Sequence, residues 1–284
     1  MEWIVWTEPL AFADKVESLL YQQEDKYSLF LGILDQIKKG KYEDYFLATA
    51  EEDGEVAAAC LMTPPHPLQV VVFNGLADIE KWMVRHLLNL GVEVDAIVGD
   101  RQTAWNFADA WTDKKGGKTR VFMDQGLYRT DAVNPRLEKS QGTWRVASLK
   151  DAPLLEEWYR LFEEETGIGV SSTSEARRKI GSFIEGKEVY VWETDGETVS
   201  CMKKTRPSKK GITVSFVFTP EAHRRKGYAR TLVAEVTEEL LNEYDFAMLY
   251  TDLKNPTSNK IYQEIGYEQI ANPVHLVIEA SSAE

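Results

Sequence analysis

Read for chemistry, the most suggestive stretch of the chain is FVFTPEAHRRKGYARTL, in which Arg224, Arg225, Lys226 and Arg230 crowd the start of a helical pattern that opens around Gly227. The first turn of a helix presents unpaired N–H groups and the positive end of the backbone dipole, so carboxylates are preferred there and cations disfavoured. Four cations in that place work against stability unless an anion sits among them. A phosphate would satisfy the N–H groups, the dipole and the side chains together. Gly227 would let the backbone come close to it, and Ala229 keeps a second position small. The competing reading is an ordinary solvated helix start with a basic face.

Other chemically capable side chains carry less. His223 has no Asp or Ser partner at triad-like spacing and reads as a surface residue. Cys60 and Cys201 are the two cysteines, far apart and outside any CxxC or Cys/His spacing, which points to buried, unpaired thiols and to no metal site. Cys201, on a strand-like run, reads as structural rather than as a covalent acyl carrier.

The run Arg224-Arg225-Lys226-Gly227-Tyr228-Ala229 matches the Arg/Gln-x-x-Gly-x-Gly/Ala signature of the GNAT acetyltransferase superfamily, after a Val-x-Thr-Pro strand end. Downstream, NPTSNKIY from Asn255 to Tyr262, followed by Gly266-Tyr267, resembles that family's other strong signature. The resemblance covers roughly residues 143–278, with its specific motifs within 217–267. It implies a twisted mixed sheet whose two central parallel strands, ITVSFVFT and FAMLYT, splay apart to admit the pantetheine arm of acetyl-CoA, used as co-substrate without a metal. By the same resemblance, backbone groups of Val217, Phe218 and Thr219 pair with that arm as an added strand would. Arg224, Arg225, Lys226, Gly227, Tyr228 and Ala229 take the pyrophosphate, and Asn255 and Asn259 contact the cofactor. The Phe218 N–H is the oxyanion donor, and Tyr262 the general acid for the departing sulfur.

One departure stands out. Many relatives carry a carboxylate on the strand that here reads ITVSFVFT, and this chain has none, so no general base is assigned. Glu221, Asp252 or one of Glu163 to Glu165 would have to act through water. The expected function is transfer of an acetyl group to the amine of a small molecule or peptide by direct attack on the thioester. The alternative is a CoA-binding regulatory module that has lost turnover. Acceptor and oligomeric state are left open; acidic residues lining the acceptor cleft would favour a cationic amine.

The elements that must position these residues follow from patterning. NPRLEKSQGT, residues 134–143, interrupts the apolar pattern and marks a linker, giving units of 1–135 and 143–284. After it come a strand WRVAS and a helix with Leu154, Leu155, Trp158, Leu161 and Phe162 on one face. VYVWET and TVSCMKK form a hairpin through Asp195-Gly196, and ITVSFVFT follows as a third strand. A helix from about Arg225 to Asn242, the strand FAMLYT, a helix from about Asn255 to Ile265 and a terminal strand around HLVIE complete a mixed α/β arrangement. The segment TGIGVSSTSEARRKI would line the acceptor cleft.

The first half repeats the plan. YFLATAEEDGEVAAACLMT parallels VYVWETDGETVSCMKKT, and LQVVVF, ADIEKWMVRHLLN, VDAIVGD and RQTAWNFADAW follow in the same strand and helix order. The position of the phosphate turn reads NGLADIEKWMV, with Asp78 and Glu80 where phosphate would lie, so no cofactor site is expected there. This half resembles the degenerate first repeat of tandem GNAT proteins. Trp105, Phe107 and Trp111 have helical spacing and read as core. The fold expected is α/β (α+β), with two GNAT-like domains, each a twisted mixed sheet flanked by helices. A net charge of −13 argues against nucleic acid as a partner. No apolar run reaches a membrane span, and the chain reads as cytoplasmic.

Overall fold

The computed structural model describes residues 1–280, and the chain forms two compact units. In chain order the elements are β1 (Glu2–Val5), α1 (Pro9–Leu20), α2 (Ser28–Lys38), β2 (Phe46–Glu52), β3 (Glu55–Met62), β4 (Leu68–Val72), α3 (Ile79–Asn89), β5 (Ala96–Gly99), α4 (Arg101–Lys115) and β6 (Lys118–Thr130). There follow β7 (Thr143–Val146), α5 (Ala152–Thr166), α6 (Thr173–Glu185), β8 (Val189–Thr194), β9 (Glu197–Thr205), β10 (Gly211–Phe218), α7 (Tyr228–Leu240), β11 (Phe246–Asp252), α8 (Pro256–Ile265), β12 (Glu268–Ala271) and β13 (Val274–Glu279). The order strand, two helices, three strands, helix, strand, helix occurs twice, so both units are GNAT-like α/β domains.

The repeat extends to local geometry. Asp53 and Gly54 turn the β2–β3 hairpin at φ 53° and 85°, and Asp195 and Gly196 turn the β8–β9 hairpin at 52° and 78°. Two successive left-handed residues match the strand twist, which is why Asp-Gly marks such hairpins. Just before the turn, each hairpin slips register, between Ala50 and Glu51 and between Trp192 and Glu193. Cys60 and Cys201 are both free and fully buried on the second strand.

In the first unit the strand order is β1-β2-β3-β4-β5-β13-β6. One face carries α1 and α2, packing Phe12, Val16, Leu20, Phe30 and Leu34 on Leu47, Ala59 and Leu61. The other carries α3 and α4, where Met83, Leu87, Phe107 and Trp111 meet Ala48, Ala58, Cys60 and Val70. Burial on both faces explains why β2 to β4 read as near-continuous apolar runs. Trp105 is partly buried against the same core as Phe107 and Trp111.

The partition differs from chain order. Sequence reading divides the chain at 135/143, whereas here the first unit comprises Met1–Leu127 together with 251–255 and the residues from Gln269 onward, and the second Tyr128–Tyr250 and Pro256–Glu268. The strand read as HLVIE, taken from its position in the chain as the last strand of the second unit, is β13 of the first. It runs antiparallel to β5, from Val274 opposite Gly99 to Val277 opposite Ala96, and to β6 on its other side. Val274 and Leu276 are fully buried there and Ile278 nearly so. Each such side chain contributes about 1.5–3 kcal/mol on leaving water, and the ladder satisfies strand edges that would otherwise be open.

In the second unit the order is β11-β10-β9-β8-β7. The helices α7 and α8 pack on one face through Leu232, Val233, Val236 and Ile265 against Tyr190, Val199, Ile212 and Val214. On the other face, α5 and α6 bring Leu155, Trp158, Ile180 and Ile184 onto Val189, Val191, Cys201 and Phe218. The helix α6, absent from the sequence reading, begins with a capping box in which Ser172 and Glu175 bond reciprocally, the S-x-x-E signature of a helix start. Among the described residues, no helix is long and apolar enough to cross a membrane.

Candidate active site

The site is built where β10 ends. It runs parallel to β11 only from Gly211 to Val214, opposite Phe246 to Leu249, although both strands continue beyond that point. On its other edge, β10 pairs with β9 from Thr213 to Ser215 and again at Phe218, with a bulge between. Phe216 stands in that bulge at φ 47°, a left-handed conformation costing an L-residue about 1–2 kcal/mol. Its ring is buried edge-on between Tyr159, at 5.1 Å, and Phe162, at 5.3 Å, which holds the bulge in place. The two central parallel strands therefore part after Val214, and the backbone at Phe216 and Val217 falls outside the β9 register. The corresponding strands of the first unit, β4 and β5, stay paired to Gly99 at the end of β5, and β3 pairs with β4 without a bulge.

Beyond β10 the chain passes Pro220 and a single 3₁₀ turn, Glu221–His223, before α7. Arg225 lies at φ 64° and Gly227 at φ 78°. Gly227 is the N-cap of α7, no side chain caps the helix, and its first turn has no acidic residue. A Cβ on Gly227 would lie 2.7 Å from Ser140 Oγ. That serine, in the segment read as a linker, donates its hydroxyl to the Lys226 carbonyl at 2.8 Å, and its N–H donates to Thr231 Oγ1 at 2.9 Å. The turn is thus fixed from beneath by a residue whose role has no sequence signal.

The cations divide in two. Arg224 donates its Nε to the Thr219 carbonyl at 2.8 Å and pairs with Glu165. Arg230 pairs with Glu264 of α8 at 2.8 Å and reaches the Glu138 carbonyl, so it ties α7 to its neighbours. Arg225 and Lys226 are exposed, without an ion pair among the described residues; Lys226 lies 5.9 Å over the Tyr228 ring. Tyr228 and Ala229 are half-buried in the first turn. In the first unit, the equivalent helix α3 also starts from a left-handed residue, Asp78, but carries Glu80 in its first turn, nearly buried and bonded by Asn106.

The remaining sequence candidates fall as follows. The Phe218 carbonyl accepts the Ser200 hydroxyl at 3.0 Å, and Thr219 shares a hydroxyl contact with Ser200 at 2.8 Å. The Cys201 thiol, whose pKa is pushed far up by burial, donates toward the Phe216 carbonyl at 4.0 Å. Tyr262 on α8 is half-buried, with its ring 6.1 Å from Tyr267. Burial pushes its phenol up to about 12, so it is protonated at neutral pH. Asn259 lies one helical turn before it, on the same face. Asn255 belongs to the 251–255 segment grouped with the first unit, where its N–H donates to Asp252.

The candidate bases are mostly engaged. Glu163 is nearly buried; it accepts the Ser171 N–H and hydroxyl, both at 2.7 Å, and pairs with Lys179 at 3.2 Å. Burial alone would raise its pKa, but these bonds outweigh it and hold the carboxyl below its ordinary value. The Asp252 carboxylate accepts the Lys254 N–H and its backbone carbonyl the Asn255 N–H, and Glu221 is exposed. His223 is not the free surface residue expected: its side chain is largely covered, with Nε2 3.4 Å from Glu197.

The family model of the FR47-like proteins matches residues 195–276, a span containing the bulge, the α7 turn and α8. No curated protein matches the sequence. Solved structures match over the whole chain. A GCN5-related N-acetyltransferase from Sphaerobacter thermophilus is 16% identical with a TM-score of 0.64, covering 99% of this chain and 97% of that one. A GNAT-family acetyltransferase from Colwellia psychrerythraea is 11% identical at 0.60, covering 99% and 100%. A tandem GNAT protein from the clavulanic acid biosynthesis pathway, solved without AcCoA, is 12% identical at 0.57, covering 100% and 99%. The chain shares the fold of these proteins over its whole length, the tandem GNAT protein included.

Proposed function

We propose that the protein is an acetyl-CoA-dependent N-acetyltransferase whose second unit binds the co-substrate and passes the acetyl group to an amine. The observation that carries this reading is the parting of β10 from β11 immediately before an uncapped helix start with exposed Arg225 and Lys226. A thin arm fits between parted strands, and a polyphosphate fits the free N–H groups and cations that follow. The residues from Arg224 to Ala229 would hold the phosphates, Val217 to Thr219 the arm, and Asn259 and Asn255 other parts of the cofactor.

In this reading the backbone of the bulge, from Val217 to Phe218, supplies the fixed donor for the developing oxyanion. Tyr262, protonated at neutral pH, gives its proton to the departing sulfur. Glu80 in the first turn of α3 repels phosphate, which leaves the first unit without a cofactor site. The acceptor is a small molecule or a peptide.

The test is release of free thiol from acetyl-CoA in the presence of a broad panel of amines, with binding followed in parallel. Thiol release dependent on the amine is expected. Binding without turnover on any amine would replace the enzyme reading with that of a CoA-binding regulatory module.

A further inference from the structure

The segment between β6 and β7, which reads in sequence as a linker, is fastened along α7 and α8 within the second unit. Asn134 donates its N–H to the Ile265 carbonyl at 2.7 Å and its side-chain amide to the Glu264 carbonyl at 3.1 Å, both on α8. The Glu138 carbonyl accepts a guanidinium N–H of Arg230 at 3.1 Å, and the Gln141 carbonyl accepts the Trp192 indole N–H at 3.3 Å. Val133 and Leu137 pack against the core that α7 covers. A flexible tether needs no such bonds. This one delivers Ser140 to the first turn of α7.

Ser140 governs two successive peptide groups there. Its hydroxyl donates to the Lys226 carbonyl at 2.8 Å. Its N–H donates to Thr231 Oγ1 at 2.9 Å, and that fully buried hydroxyl donates in turn to the Gly227 carbonyl at 3.1 Å, which also accepts the Thr231 N–H at 3.0 Å. In a planar trans peptide the C=O and N–H point in opposite directions. Holding the carbonyls of Lys226 and Gly227 on Ser140 and Thr231 therefore turns the N–H groups of Gly227 and Tyr228 the other way, and among the described residues neither meets an acceptor. Gly227 permits this turn but does not hold it, because glycine adopts either sign of φ about equally readily. Lys226 is exposed, so a carbonyl released by Ser140 would be hydrated and its peptide free to rotate.

Resting on the acetyltransferase reading, we infer that Ser140 is a positioning residue for the phosphates of the co-substrate. Without touching the cofactor, it keeps the 226–227 and 227–228 peptides with both N–H groups turned toward the anion, so that no ordering of the turn is left to be done on binding. Arg225 and Lys226 bring charge to the turn; Ser140 brings its shape.

The experiment is calorimetric titration of the full chain and of Ser140→Ala with two probes, acetyl-CoA and S-acetylpantetheine, which has the same acetylated arm but no phosphate. The Kd for acetyl-CoA should rise about tenfold in Ser140→Ala, the loss of one hydrogen bond to a charged group. The Kd for S-acetylpantetheine should keep its parent value, so the ratio of the two narrows about tenfold. That ratio is internal to each folded protein and does not depend on a small change in stability. Lys139→Ala, which removes exposed ion pairs of the same segment with Glu235 and Glu238 further along α7, should leave both values unchanged. An equal loss for both probes, as a merely structural role would give, or an unchanged acetyl-CoA Kd in Ser140→Ala, would overturn the inference and leave cofactor binding standing. A parent protein that binds acetyl-CoA no more tightly than S-acetylpantetheine would refute the placement of the phosphates on this turn, and with it the cofactor site on which the acetyltransferase reading stands.

Discussion

Replacing Arg225 by glycine separates the phosphate-binding role proposed for the α7 turn from its structural one. Arg225 is exposed and held at φ 64°, with no ion pair among the described residues. The left-handed conformation costs a residue with a Cβ about 1–2 kcal/mol. Glycine removes that strain but loses about 0.5–1 kcal/mol more backbone entropy on folding. The difference leaves a net gain of about 0–1.5 kcal/mol, so urea unfolding should show unchanged or slightly raised stability. A hydrogen bond to a charged group contributes about 1.5–3 kcal/mol, and solvent exposure places this one at the lower end. Calorimetric titration should therefore show the Kd for acetyl-CoA rising about tenfold. Its dependence on salt should become shallower, because one cation fewer is screened. Unchanged affinity in a variant of unchanged stability would refute the placement of the phosphates on this turn.

Gly227→Ala introduces a Cβ at φ 78° and 2.7 Å from Ser140 Oγ, and should cost about 1–2 kcal/mol in denaturant unfolding while acetyl-CoA binding falls below detection. Tyr262→Phe should lower kcat about 100-fold with the KM for acetyl-CoA near its parent value, and the parent should show no Tyr262-linked limb in its pH profile below about pH 11. The raised folded-state pKa also makes Tyr262 a stabilising group at and below pH 10 whose contribution disappears between pH 10 and about 12, measurable as a steeper fall in Tm than in the Phe variant. For Glu163 the sign reverses: its lowered pKa contributes stability above the ordinary value of 4.5 that is lost as the pH falls through the folded-state value, and Glu163→Gln should flatten that acid limb. Cys60 and Cys201, both fully buried and pushed up by that burial, should resist thiol reagents in the native protein and react on unfolding.

The sequence by itself determined the features whose physics is local. Asp53-Gly54 and Asp195-Gly196 specify their hairpins because few residue pairs accept two left-handed conformations. The α7 turn was legible because cations at a helix start contradict the backbone dipole, and Glu80 marked α3 as different for the same reason. The α6 start was equally local, since Ser172 and Glu175 bear a capping signature, and it went unread only because the segment was taken as cleft lining.

What only the tertiary structure decided depends on partners far away in the chain. Backbone ladders are indifferent to side-chain identity, so nothing in VHLVIE says that it pairs with β5 and β6 rather than with the strands beside which it is made. The bulge at Phe216 exists because Tyr159 and Phe162 offset a strained backbone, and Glu163 is removed as a base because Ser171 and Lys179 fold onto it. Chain order made residues 143–284 look like one unit and its carboxylates look available. Packing sent the last strand to the first unit and paired Glu163 with Lys179, because strand pairing and charge pairing are settled by which groups meet in space.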